Sequence, residues 1–293
     1  LRTHEAVELP VLHCGHPKVN IPNYSEFYEV RHYTSGKNLY DEISYAGVET
    51  IISDNLVFCC DKMRDFSFGV EVCEDLWVAA SPSVEHAKHG ATIICNPSTS
   101  DDVIGKAQYR RDLVKMQSGK LCCAYIYSDS GFGESTTDMV FSGHNLMYEN
   151  GKLLGEIKPF EDGILIRDFN MTKIRHDRLA NKSFAECKRN FEAGEYMTVN
   201  CEKVFAEKKE VCAKVSMTPF VPSKNRLERC RSIFAMQVAG LQRRIEATHA
   251  SCIVVGVSGA RKRKTRRVSC NSTDTATCWT TSSRTSSGSA RNP

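Results

Sequence analysis

The chain has 293 residues, 41% of them hydrophobic, enough for one domain with a sizeable core and part of another. No apolar run is long enough to span a bilayer and no charged-apolar-small leader pattern opens the sequence, which predicts a soluble protein made without export and without membrane contact. The formal net charge of +4 hides an asymmetry: from Arg261 onward eight Lys/Arg face one acid, Asp274, a surplus of +7 that leaves the preceding chain at −3, without the basic surface that nucleic-acid binding needs.

Leu1 to His16 carries no readable pattern. From Pro17 to about Asn170, short β-branched or aromatic runs alternate with helical stretches, the pattern of an α/β domain. Ile51 to Cys60 and Phe66 to Val72 are predicted as paired strands, Val84 to His89 as a short helix, and Ala91 to Cys95 as the next strand, ended by Asn96-Pro97. Lys106 to Lys120 has helical spacing and Leu121 to Tyr127 reads as a strand. Ser142 to Met147 and Leu153 to Ile157 form a hairpin around Asn150-Gly151 by its turn chemistry. Asp168 to Asn200 is polar and mixed, with Phe184, Phe191 and Tyr196 as sparse anchors. Lys203 to Ser216 reads as a poorly held connector. Pro219 and Pro222 then precede a helix from roughly Asn225 to His249, with Leu227, Ile233, Phe234, Val238, Leu241 and Ile245 near one face. Ser251 to Val257 is a buried-strand pattern. The basic, Ser/Thr-rich tail that follows cannot bury a core and is expected to lack structure.

Fourteen cysteines raise the question of a disulfide scaffold. Their arrangement speaks against one: they include the adjacent pairs Cys59-Cys60 and Cys122-Cys123, sit in apolar strand-like stretches, and belong to a chain too large to need staples. No Cys-x-x-Cys occurs and no His/Cys cluster has zinc spacing, so no metal site is expected. Reduced thiols in a cytoplasmic enzyme are the economical inference.

One thiol stands apart. Cys73 closes the run Phe66-Ser67-Phe68-Gly69-Val70-Glu71-Val72 and is followed by Glu74-Asp75-Leu76-Trp77, so an apolar strand stops at a cysteine and then turns into acids. A thiol at such a turn projects into a site and is a nucleophile candidate, against the bland reading of a buried structural cysteine. The segment Val70 to Trp77 resembles the cysteine elbow of the nitrilase, or carbon-nitrogen hydrolase, superfamily, and specifically of the glutaminase half of glutamine-dependent NAD synthetases. Pro17-Lys18-Val19-Asn20-Ile21-Pro22-Asn23-Tyr24-Ser25-Glu26-Phe27-Tyr28-Glu29 is similar to the family's segment with the catalytic lysine, and the order of the two blocks is the family's.

The resemblance covers Pro17 to Gly259 and implies a four-layer α/β/β/α nitrilase sandwich followed by the start of an ATP-pyrophosphatase domain. It divides the chain into a glutaminase domain over 17–200, a linker over 201–224, the beginning of a synthetase domain over 225–259, and the tail, 260–293. Ser258-Gly259 resembles the opening of the loop Ser-Gly-Gly-x-Asp-Ser, but Ala260, Lys262 and Arg263 stand where the second Gly, the Asp and the Ser belong. The abrupt onset of the tail inside that motif suggests a frame change or truncation; a functional basic arm is the competing reading.

By resemblance, Cys73 attacks the side-chain carboxamide of glutamine, releases ammonia and leaves a thioester for water to cleave. Lys18 stabilises the tetrahedral oxyanion, helped by the backbone N–H of Glu74, and lowers the thiol's pKa. Tyr24, Ser100 and Lys106 fall at matched positions for contacting the free amino acid, and Glu74 and Trp77 line the pocket. The glutaminase part needs no cofactor; ATP and Mg belong to the complete synthetase, whose loop is not intact here. Ammonia passes to the synthetase half, and the complete proteins are expected to be homo-oligomers. The family's general base is a glutamate well upstream of the lysine block; Glu5 and Glu8 do not sit at a comparable separation, which implies a weak or inactive glutaminase in the chain as written. Three readings stay open beside this one. They are a nitrilase-family amidase for another small amide, a non-catalytic remnant with an assembly role, and a Cys-His enzyme with His86, His89 or His144 as base.

Overall fold

Short apolar strands joined by polar turns build two sheets in the first part of the chain. The computed structural model describes residues 14–45, 47–131, 134, 139–187, 196–201, 217, 225–227, 230–231, 233–235, 238, 245, 248–249, 252–256 and 265–269. Strands β1 (Cys14–Gly15), β2 (Tyr40–Tyr45) and β3 (Val48–Ser53) form a three-stranded sheet in the order β1-β3-β2. Strands β4 (Leu56–Cys59), β5 (Ser67–Val70), β6 (Ile93–Ser98), β7 (Ala124–Asp129), β8 (Asn145–Glu149), β9 (Lys152–Ile157) and β10 (Met197–Asn200) form a seven-stranded sheet in the order β10-β4-β5-β6-β7-β8-β9. The helices are α1 (Pro82–Lys88), α2 (Lys106–Lys120), α3 (Met171–Ala180) and α4 (Lys182–Cys187). The fold is mixed α/β.

At the centre of the larger sheet β5, β6 and β7 run parallel, joined by crossovers that carry α1 and α2. Parallel neighbours need such long connections. The register aligns Gly69 with Ile94, Ile94 with Tyr125, and Tyr125 with Tyr148, a row across one face of the sheet. Ile94, Tyr125 and Tyr148 are buried there with Val114 of α2, Ala87 of α1 and Leu146. On α2 the buried positions are Arg110, Val114 and Ser118, spaced four apart on one stripe. The opposite face carries Ile93 and Ala124, covered by Ile174 of α3 and flanked by Phe66, Phe68, Cys95 and Ile126. Arg178 of α3 donates to the carbonyls of Ala91, Cys122 and Leu121 at 2.6, 2.9 and 3.1 Å, tying that helix to the starts of β6 and β7.

Several expectations meet the coordinates closely. The helix at Lys106 to Lys120 is there with those bounds, and the Asn150-Gly151 hairpin joins β8 to β9 with both turn residues at positive φ, 45° and 74°. Others shift. The run Ile51 to Cys60 is two strands in different sheets: Ser53 Oγ accepts from the Asn55 amide and Asp54 from the Asn38 amide, so this polar turn releases the chain from the small sheet into the large one. Strand β6 continues through Asn96-Pro97 to Ser98, because Pro97 sits at an exposed end of the sheet where its missing N–H is tolerated. The polar stretch after Asp168 holds α3, whose N-terminus is capped by Asn170 accepting from the Lys173 amide at 2.9 Å.

By internal contacts the chain separates into units spanning 1–214 and 215–293. In the second unit the described residues between 225 and 249 are mostly helical, and β11 (Cys252–Gly256) pairs antiparallel with β12 (Thr265–Ser269). An unstructured tail is therefore not what these five residues display: the pairing satisfies backbone groups of Thr265–Ser269. The rest of the tail, the loop at 257–264 and most of the linker at 201–224 lie outside the described residues. No helix among the described residues is long and apolar enough to cross a membrane.

Gly69 lets α1 approach β5. A Cβ there would lie 2.8 Å from both Cβ and Cγ of His86, whose ring is fixed at both nitrogens by the Val70 carbonyl and the Tyr196 hydroxyl. Gly69→Ala is expected to lower unfolding stability by about 1–3 kcal/mol, measured by urea denaturation.

Candidate active site

Because β5, β6 and β7 are parallel, their carboxyl ends open at one edge of the sheet, the place where α/β folds build sites. The chain leaves β5 into Glu71-Val72-Cys73, β6 into Thr99-Ser100-Asp101, and β7 into Ser130-Gly131. A cleft of ≈ 1210 Å³ lies there, with Lys18, Val72, Cys73, Ser98, Thr99 and Asp129 on its walls, together with Phe27, Glu29 and Phe141.

Cys73 has φ = 50°, the left-handed region that a residue with a Cβ enters at a cost. It opens a short 3-10 helix, Cys73–Leu76, and a chain of buried hydrogen bonds holds it. The Cys73 N–H donates to Asn96 Oδ1 at 3.0 Å, Asn96 Nδ2 donates to the Tyr125 hydroxyl at 3.1 Å, and that hydroxyl donates to Glu71. Glu71 also accepts the Ser83 amide at 2.8 Å, and its complete burial pushes its carboxyl up to about 7. The Cys73 thiol donates to the Thr99 carbonyl at 3.7 Å. Burial pushes this thiol's pKa up, the nearby Lys18 ammonium pulls it down, and the Asp129 carboxylate adds to the rise.

Lys18 reaches the elbow directly: its Nζ donates to the Val72 carbonyl, the peptide bond that leads into Cys73, at 3.4 Å. Asp75 makes this meeting possible. Its Oδ2 accepts the Val72 amide at 2.8 Å, and its Oδ1 accepts the amide and side-chain nitrogen of Asn20 at 2.7 and 2.9 Å. One fully buried carboxylate thus fastens the lysine segment to the cysteine turn.

The other expected site residues gather beside the cleft rather than on its walls. The Tyr24 hydroxyl donates to Glu74 Oε2 at 2.9 Å; burial raises the pKa of both groups, and Lys18 and Lys106 pull Glu74 the other way. The Lys106 ammonium pairs with Asp101 and lies 5.3 Å from the Trp77 ring centre and 5.8 Å from that of Phe27. Ser100 is buried: its amide donates to Asp129 Oδ1 at 2.8 Å and its hydroxyl accepts from Arg110 at 3.4 Å.

None of the three histidines of the Cys-His reading lies on the cleft wall. His86 is buried beneath β5, its Nε2 donating to the Val70 carbonyl and its Nδ1 accepting from Tyr196, and burial pushes it down to about 3. His89 stacks on Tyr196, with ring centres 3.4 Å apart. His144 accepts from Arg110 and donates to Glu156 at 2.9 Å. No group of three or more metal-ligating side chains occurs among the described residues. All eleven described cysteines are free thiols.

Sequence reasoning passed over Asp75, Asn96, Glu71, Arg110 and Asp129. Asp75 carried a signal, since an acid two residues past a nucleophile turn sits where the backbone needs an acceptor. Asp129 had one too, at the end of an apolar strand run. The buried polar chain through Tyr125 had none, because it depends on register between strands far apart in sequence.

If Lys18 and Asp129 act on the thiol as placed, alkylation of Cys73 by iodoacetamide, followed by mass spectrometry across pH, shifts in opposite directions. Lys18→Ala moves the midpoint to higher pH and slows labelling at neutral pH. Asp129→Asn moves it to lower pH.

No family model matches the chain. Among curated proteins it is 34% identical over 253 residues to the glutamine-dependent NAD(+) synthetase of Mycobacterium tuberculosis H37Rv, covering 83% of this chain and 37% of that protein. It is 33% identical over 254 residues to the protein of the same name from Mycobacterium leprae, with the same coverage. The chain thus spans a little over a third of the length of these relatives. The crystal structure of a glutamine-dependent NAD(+) synthetase from Cytophaga hutchinsonii superposes over 49% of this chain and 22% of that one, with 28% identity and a TM-score of 0.42, a likeness too partial to add to the assignment. On the sequence relationship, the chain is a homologue of a part of the glutamine-dependent NAD(+) synthetases.

Proposed function

We propose that this chain is the glutamine-hydrolysing part of a glutamine-dependent NAD(+) synthetase, with Cys73 as nucleophile and Lys18 as the fixed charge for the oxyanion. The observation that carries the reading is the Lys18 ammonium bonded to the peptide of the Cys73 turn, in a cleft at the carboxyl ends of three parallel strands. The names of the relatives supply the substrate class, glutamine, and the destination of the nitrogen, NAD(+).

The chemistry follows from those groups. The Cys73 sulfur adds to the carboxamide carbon of glutamine, and the negative charge that develops on the oxygen is met by the Lys18 ammonium. The amide of Glu74, in the first turn of a 3-10 helix whose opening N–H groups find no partner within the helix, is the second donor. As the C–N bond breaks, the proton lost by the thiol leaves with ammonia, and a thioester remains on Cys73. Water cleaves it to glutamate and restores the thiol. Tyr24 with Glu74, and Lys106 beside Trp77, offer a paired acid and a cation for the ammonium and carboxylate of a free amino acid. We assign 17–200 to this domain in a nitrilase-type α/β/β/α architecture and 225–259 to the start of a synthetase domain. Ammonia would pass to that domain, in a cytoplasmic protein with reduced thiols.

ATP and Mg serve the synthetase half when it is complete. The residues present do not fit that role: at the loop, Ala260, Lys262 and Arg263 bring no carboxylate for a cation.

A diazo-ketone analogue of glutamine tests the reading. It should add covalently to Cys73 and to no other cysteine, with Cys73→Ala abolishing the adduct. Lys18→Ala should slow its formation by roughly 10²-fold or more, the usual cost of an oxyanion donor. Labelling spread over several thiols, or unaffected by Lys18→Ala, contradicts it.

A further inference from the structure

Arg110 is the largest fully buried side chain of the described residues. It stands on α2, a helix with few apolar residues, and turns most of its reach toward one loop, the exit of β6. Its Nη2 donates to Ser100 Oγ at 3.4 Å and to the Asp101 carbonyl at 3.2 Å. The same nitrogen lies 3.6 Å from Asp129 Oδ2, and Nη1 lies 3.9 Å from Asp102. Nη1 also donates to His144, which leans on Glu156. Asp129 completes the grip from the next strand, since its Oδ1 takes the Ser100 amide at 2.8 Å.

A buried cation costs several kcal/mol of desolvation, and one kept against neighbouring strands needs a compensating arrangement. Here every partner but His144 belongs to residues 100–102 or, as Asp129, is braced against them. The loop is also stitched to the far wall of the cleft, by an isolated bridge from Asp101 to Phe141 and by the Asp102 amide donating to the Val140 carbonyl at 2.7 Å. What the loop delivers is Ser100 and, through Asp101, the ammonium of Lys106. None of these bonds touches the Cys73 sulfur.

We propose that Arg110 and Asp129 form a clamp of two positioning residues that sets the Ser100–Asp102 loop, and through it the site's preference for an amide bearing an amino-acid end over a simple amide. The clamp rests on the glutaminase reading. It deepens that reading by separating the meeting of the lysine and cysteine segments, held by Asp75, from substrate choice, set through Arg110 by way of the Ser100–Asp102 loop. A guanidinium is suited to the task because its planar fork bonds several acceptors at once, which a lysine ammonium cannot reproduce in the same geometry.

The test protects Cys73 of the full chain from iodoacetamide with glutamine or with propionamide and reads the Cys73 peptide by mass spectrometry. In the parent chain glutamine protects at far lower concentration than propionamide. In Arg110→Met and Arg110→Lys the glutamine concentration needed rises by roughly tenfold or more, the effect of losing a charge-assisted bond, while that of propionamide stays the same. Should Arg110→Met fail to fold, Arg110→Lys carries the test, since it keeps the buried charge and loses the planar fork. A purely structural role would weaken both protectants alike or neither. Retained preference for glutamine in a folded variant overturns the clamp alone. Absence of glutamine protection in the parent chain overturns the glutaminase reading, and the clamp with it.

Discussion

The site depends on the Asp75 carboxylate. Lysine and cysteine blocks more than fifty residues apart come from different sheets' surroundings, and nothing in local propensity makes them meet. Asp75 bonds Asn20 twice and the Val72 amide once, so two backbone segments share one buried anion. Three donors on one carboxylate make burial of its charge tolerable and fix both partners in orientation as well as distance. Loss of that anion would leave three partly buried donors without this acceptor and would free the lysine segment from the turn. The Lys18–Val72 contact is downstream of it.

A second constraint holds the sulfur. The left-handed backbone at Cys73 stores strain, which persists only where the surroundings over-determine it. Those surroundings are the relay from Glu71 through Tyr125 and Asn96 to the Cys73 amide, laid across β5, β6 and β7. Register makes the relay: Gly69, Ile94 and Tyr125 share one row, which sets Tyr125 beside the exit of β5. The thiol that results is buried and raised in pKa, so the Lys18 charge is the counterweight that the site supplies to favour thiolate. Burial and charge oppose one another, and the balance between them decides reactivity.

What could be read from the sequence was whatever lay within one segment. The helix at Lys106 to Lys120, the Asn150-Gly151 turn and the strand that ends before Cys73 each carry their signal in adjacent residues, and each is present. The lysine and cysteine blocks could be singled out for the same reason, and the structure brings their segments together. The split of Ile51 to Cys60 into two sheets was not, because an Asp-Asn turn between apolar runs looks like a polar interruption of one strand until pairing partners are known. Asp75, Asn96 and Arg110 escaped because each acts by bonding residues from another part of the chain. Asn170 is the instructive case, since a cap before Met171–Ala180 follows a known rule and was obscured only by the polar sequence around it.

Asp75 holds the Lys18 amine at the turn that carries the Cys73 sulfur, and a short cross-linker with one iodoacetyl and one succinimidyl end tests this directly. Digestion and mass spectrometry should find Cys73 joined to Lys18 in the parent chain, and that linkage greatly reduced in Asp75→Ala while Cys73 still alkylates. Cys73 joined to Lys106 or another lysine in place of Lys18, or a Lys18 linkage that survives loss of the Asp75 carboxylate, would contradict the account.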